Sequence, residues 1–120
     1  SYTTFEYTNL RAVPPKGTSS VAAFELDITN SGDVFGKEIV QGYVKVSESK
    51  IDRPIKELKK FEKVSLEPGE SKKITFELTE RDLSFWSETN QSWQVEPAEY
   101  IFEVGASAID IRESTSVWLG

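Results

Sequence analysis

Five stretches of this chain alternate between apolar and polar side chains, and a period of two confines them to half-buried strands. In 20–30, Ala22, Phe24, Leu26 and Ile28 share one face, with Glu25, Asp27 and Thr29 on the other. In 38–47, Val40, Val44 and Val46 align with Gly42, while Gln41, Tyr43 and Lys45 point away. Segment 71–78 sets Ile74, Phe76 and Leu78 against Lys73, Thr75 and Glu77. Tyr100, Phe102 and Val104 do the same in 99–105, as do Thr115, Val117 and Leu119 in 114–119. Weaker strands are expected at 2–10 and 61–66 and a short one at 92–95, which makes about eight.

The residues between these segments are turn formers. Asn30-Ser31-Gly32-Asp33 is rich in residues that tolerate positive φ. Glu67-Pro68-Gly69-Glu70 has the Pro and Gly of a type II turn. Glu96-Pro97-Ala98-Glu99 has Ala in place of that Gly, which favours type I. Thr79-Glu80-Arg81-Asp82 is a capping signal that predicts one helical turn over 80–84. Short alternating strands with a turn every few residues predict an all-β fold, an antiparallel sandwich.

At 120 residues the chain is expected to be one domain over 1–120. Size scaling gives about 6,500 Å² of folded surface, enough burial for a core without staples. Composition removes much chemistry. With His 0 and Cys 0, no Ser-His-Asp or Cys-His nucleophile and no ordinary zinc, haem or iron–sulfur site can be built. Carboxylate, Lys or Tyr chemistry survives, as do hard cations on oxygen ligands. A net charge of −6 argues against a nucleic-acid partner. No apolar run approaches the roughly 20 residues that span a bilayer, so no membrane partner is expected either. The lack of an initiator Met and of a leader is read as an excised piece of something longer.

Four features could carry function, and each has a plain structural alternative. The 20 acidic residues will place pairs at glycosidase separation by chance on adjacent strands, so a catalytic pair is not assigned. Asp27, Asn30, Asp33 and Glu38 surround a turn and could gather oxygens for Ca²⁺, yet ordinary turn chemistry explains them. No metal site is assigned. Among the aromatics, Trp93 is in phase with Val95 and is expected in the core, and Trp86 is expected to plug one end of the sandwich. Trp118 and Tyr43 lie on the polar phase of their strands and are the candidates for stacking on sugar rings. The last feature is the loop Arg53-Pro-Ile-Lys-Glu-Leu-Lys-Lys-Phe61, which mixes cationic, acidic and apolar residues where recognition residues tend to sit. The alternative is a solvated connection anchored by Leu58 and Phe61.

At this loop the chain resembles the C-terminal fibronectin type III-like domain of glycoside hydrolase family 3, the β-glucosidase and β-xylosidase family. The stretches that carry the resemblance are SYTTFEY (1–7), NSGDVFGKEIVQGYV (30–44), RPIKELKKF (53–61), LEPGES (66–71), LTERDLSFW (78–86), and EYIFEVGAS followed by DIR within 99–112. It implies a fibronectin type III-like, immunoglobulin-like sandwich and a cut at a domain boundary before Ser1. The chain departs from the family at Gly42, a bulky apolar residue there, which predicts a thin spot in the strand. Lys60 and Ala98 replace common glycines, and Ala108-Ile109 a Ser-Arg pair. The family's catalytic residues lie in preceding domains, so none is carried over and no cofactor is implied. The implied role is a non-catalytic accessory module of a glycosidase that cleaves terminal β-linked sugars, packing on and stabilising its catalytic domains. Arg53, Pro54, Lys56, Glu57 and Leu58 are the expected docking residues, with Phe61 turned inward as an anchor. The competing reading is a carbohydrate-binding or polymer-adhering module that uses Tyr43 and Trp118.

Overall fold

The computed structural model describes residues 3–120. These form β1 (Phe5–Val13), β2 (Ser20–Asn30), β3 (Gly36–Val46), β4 (Glu57–Leu66), β5 (Ser71–Thr79), α1 (Glu80–Leu83), β6 (Ser84–Ser87), β7 (Ser92–Val95), β8 (Ala98–Ser107) and β9 (Asp110–Leu119). All pairings are antiparallel. One sheet runs β1-β2-β5, the other β4-β3-β8-β9, and β6-β7 is a separate hairpin. The all-β sandwich expected from the alternation is therefore present. The first strand begins at Phe5, and Tyr2 of the expected 2–10 lies outside the described residues. The strand beyond the eight expected is β6, which pairs with β7.

The core forms where the apolar faces of the two sheets meet. Phe24, Leu26, Ile28, Ile74, Phe76 and Leu78 come from one sheet, and Val40, Val44, Val64, Leu66, Tyr100, Phe102 and Val104 from the other. Four of the five alternating segments bury the face their sequence marks as apolar, and the fifth half-buries Thr115, Val117 and Leu119. Gly42 is not a thin spot, because the Phe102 ring fills the space above it. A Cβ built on Gly42 would lie 2.6 Å from that ring, and Phe102 stacks on Phe24 with centroids 4.3 Å apart. The surface, 7163 Å², exceeds the size-based figure of about 6,500 Å² because the sandwich is elongated, 55 × 29 × 18 Å.

The edges and corners are closed by side chains. Where β1 bulges between Thr8 and Arg11, the freed Leu10 N–H donates to Glu113 Oε1 on β9 at 2.8 Å. Arg112 donates to the Phe5 carbonyl across the same seam at 3.2 Å. At the start of β8, Tyr100 O–H donates to the Glu96 carbonyl at 2.7 Å, the tyrosine corner of immunoglobulin-like sandwiches. Gly69 takes φ 80° and Glu70 N–H donates to the Glu67 carbonyl at 3.0 Å, as the type II turn requires. Thr79 and Asp82 form the reciprocal capping box of α1.

Asn30 joins both loops that cross between the sheets at this end. It is fully buried. Its Nδ2 donates to the Leu66 and Val34 carbonyls, each at 2.9 Å. Its Oδ1 accepts from Gly32 N–H at 3.0 Å and Thr3 Oγ1 at 2.8 Å. Its backbone pairs with Gly69 and Glu70. All four side-chain hydrogen-bonding positions are used inside the fold.

Candidate functional site

The segment between β3 and β4 is folded back rather than solvated. Glu96, at the corner before β8, collects its donors: Lys50 N–H at 2.8 Å, Ser49 Oγ at 2.7 Å and Arg53 Nη2 at 2.9 Å. The Arg53 guanidinium also lies 5.5 Å from the Phe85 ring centre. Burial alone would raise the Glu96 carboxyl, but the Lys50 and Ser49 donors and the Arg53 charge outweigh it and hold it below the usual range. Arg53, expected to face a partner, is thus paired with a carboxylate of its own chain.

Lys56 is fixed in the same way. Its Nζ donates to Glu103 Oε1 at 3.1 Å and to the Ala108 carbonyl at 2.8 Å. Burial again acts to raise Glu103, and Lys56 with Lys45 overcomes it and holds the carboxyl low. Lys56 also lies over the Tyr43 ring, 5.5 Å from its centre. That cover corrects the expectation for Tyr43. Its phase puts it on the outer face as read, yet it is only 9% exposed and its hydroxyl is bonded to Gln41. Tyr43 is closed to a sugar ring. Trp118 is open at 66%, but the structure does not bring the two together. Two strands and four residues of register separate them, roughly 16 Å by strand spacing and rise.

Other aromatics also need correction. Phe61 does not turn inward: it is 65% exposed, opposite outward Gln41. Trp93 is not core, and Trp86 is not a plug. They are cross-strand partners on the β6-β7 hairpin, packed edge-to-face at 5.5 Å, with the Arg81 guanidinium 3.6 Å from the Trp93 ring centre. Leu83 closes that end of the core instead. The oxygens considered for Ca²⁺ do not gather, since Asn30 is spent inside the corner, Asp27 accepts from Asn9 and Glu38 from Tyr7.

What the region presents outward is apolar surface set among cations. Pro54 is exposed. Ile55 is 86%, Leu58 49% and Ile39 45% exposed, and Glu57 opens β4 opposite Val44. A shallow groove of about 430 Å³ lies between the loop and the sheet, lined by Lys45, Val46, Ser49, Arg53, Ile55 and Ile101. The carboxylates beside it, Glu96 and Glu103, are both ion-paired. Such a surface suits contact with another macromolecular surface better than bond cleavage. The contributions of Ile39 and Phe61 were missed in the sequence. The signal was there, for Phe61 is in phase with Lys63 and Ser65, and Ile39 with Lys37 and Gln41.

An antiparallel sandwich closed by a tyrosine corner defines the immunoglobulin-like class of β-sandwich domains. Residues 38–108 match the sequence pattern of the fibronectin type III-like domain, and the chain belongs to that family. It is 44% identical over 119 residues to an exo-alpha-(1->6)-L-arabinopyranosidase of Bifidobacterium breve, covering 99% of this chain and 16% of that enzyme. It is 46% identical over 113 residues to a beta-glucosidase of Kluyveromyces marxianus, covering 92% and 13%. Its fold matches part of a GH3 beta-glucosidase of Bifidobacterium adolescentis with TM-score 0.89 and 41% identity, covering 98% of this chain and 17% of that one. The chain therefore spans only 13–17% of the length of these relatives.

Proposed function

We propose that this domain is a non-catalytic accessory module of a glycoside hydrolase family 3 enzyme, packing on and stabilising the catalytic part of the same parent chain. The observation that carries this reading is coverage: nearly all of this chain aligns with 13–17% of far longer glycosidases. The parent is a glycosidase that releases terminal sugars. Its sugar is set elsewhere, because an arabinopyranosidase and a beta-glucosidase are almost equally similar to this domain. Within the docking loop, Arg53 and Lys56 act as braces through Glu96 and Glu103. Pro54, Glu57 and Leu58 then face the partner with little loop entropy left to lose.

Removing residues 1–120 from the parent tests this. The expected result is a shorter half-life on heating, restored by adding the domain back as a separate chain. Unchanged stability and activity of the truncated parent would overturn the reading. So would aryl-glycoside turnover by the domain alone that one Asp or Glu substitution abolishes. The exposure of Trp118 favours a second reading, in which the domain holds carbohydrate by a flat indole face. In that case oligosaccharide should raise the melting temperature of the chain, and Trp118→Ala should abolish the effect.

A further inference from the structure

The outer face of β3 and β4 carries an apolar row that no element covers among the described residues. Ile39 is opposite Lys63, and Phe61 is opposite Gln41, so Ile39 and Phe61 are diagonal neighbours about 7–8 Å apart. Leu58 continues the row opposite Tyr43. In a regular strand Leu58 and Phe61, three residues apart, would face opposite sides. A bulge at Lys59, between the pairs Gly42–Lys60 and Tyr43–Leu58, brings both to the outer face. A bulge that re-aims one large apolar side chain into solvent beside another is not needed by the core, whose share of β4 is Val64 and Leu66.

The row also has a charge signature. Lys37 precedes Ile39 by two residues on β3, and Lys63 sits opposite it on β4. Both are exposed, and neither has an ion pair among the described residues. In a chain of net charge −6, two unpaired cations flanking an apolar row call for a partner rimmed by carboxylates. A second copy meeting this face across a twofold axis would set Lys37 and Lys63 against their own images. A nucleic acid would face the acidic remainder of the domain.

We infer that Ile39, Leu58 and Phe61, flanked by Lys37 and Lys63, form the principal face on which the domain docks to a carboxylate-rimmed apolar surface of the catalytic part of its parent chain. This rests on the accessory reading above and moves the centre of contact from the 53–58 loop to the sheet. The length of chain outside this domain, about five-sixths in the relatives, supplies the occupant.

Photo-crosslinking in the full parent glycosidase tests the face, with p-benzoylphenylalanine placed in turn at Phe61, at Ile55 on the loop tip and at Lys73 on the outer face of the opposite sheet. Position 61 should cross-link within the chain to a segment of the catalytic part rich in Asp or Glu, and position 73 should not. Lys37→Glu with Lys63→Glu should shorten the parent's half-life on heating by about twofold or more, most strongly at low salt. Cross-links from 61 to a second copy, or from 55 but not from 61, would overturn this face and leave the accessory reading standing. No intramolecular cross-link from any of the three positions would overturn both.

Discussion

Asn30 illustrates how one polar side chain can organise a corner that apolar packing cannot specify. Its amide reaches the Leu66 and Val34 carbonyls and the Gly32 N–H, so the two loops that pass between the sheets are registered against each other. Truncation strands buried backbone groups without partners. Asn30→Ala should therefore cost about 2–4 kcal/mol in urea melts, well beyond an ordinary surface change. Asn30→Asp keeps the shape but cannot donate, and it should be destabilised by at least as much. A cost below about 1 kcal/mol for both variants would mean that water replaces the amide. The sequence showed Asn30 as a turn former. Its burial was not legible, because the partners at Leu66 and Gly69 are far away in the chain.

At the level of elements, alternation told which way each strand faces and was silent on what lies over the outer face. Val40, Phe76 and Val104 were placed correctly for that reason. Tyr43 was placed on the right face with the wrong exposure, since Lys56 arrives from the loop to cover it. Phe61 was misread because its size outweighed its phase, and Trp93 because a short hairpin offers too few residues to define a core side. Arg53 and Lys56, expected to dock, were legible as special but not as braces. The loop they hold yields a prediction. Glu96→Gln keeps the hydrogen-bonding shape and removes the charge facing Arg53, so hydrogen exchange across 48–55 should accelerate while the core strands stay protected. Uniform acceleration throughout the domain would show that the clasp stabilises the whole fold instead.

For the whole molecule, the same carboxylates set the response to acid. Glu96, Glu103 and Asp82 are all desolvated. Even so, their carboxyls lie below the ordinary range because donors and cations outweigh that burial. The fold thus binds fewer protons than the unfolded chain. Their contribution is fully present above the unfolded values near 4.3 for Glu and 3.9 for Asp, roughly, and is lost as pH falls through the lower folded values. Thermal melts should be flat from pH 7 to about 5 and fall steeply below about 4. Replacing Lys56 or Arg53 with Gln should shift that fall to higher pH. A melting temperature that declines evenly from neutrality would point to general charge repulsion rather than to these pairs.

The bulge at Lys59 divides β4 into two halves with independent phases. The half from Phe61 onward is bound to the core rhythm of Val64 and Leu66, and the half before it follows a rhythm of its own. Loss of that one residue would restore a single period with the same register, so Leu58 would stay opposite Tyr43 and Phe61 opposite Gln41, both on the outer face. A strand that kept Lys59 but lost the bulge would instead set Lys59 opposite Tyr43 and carry Leu58 to the inner face. A lineage of such domains could therefore shed this residue and keep both the apolar face and the sandwich beneath it.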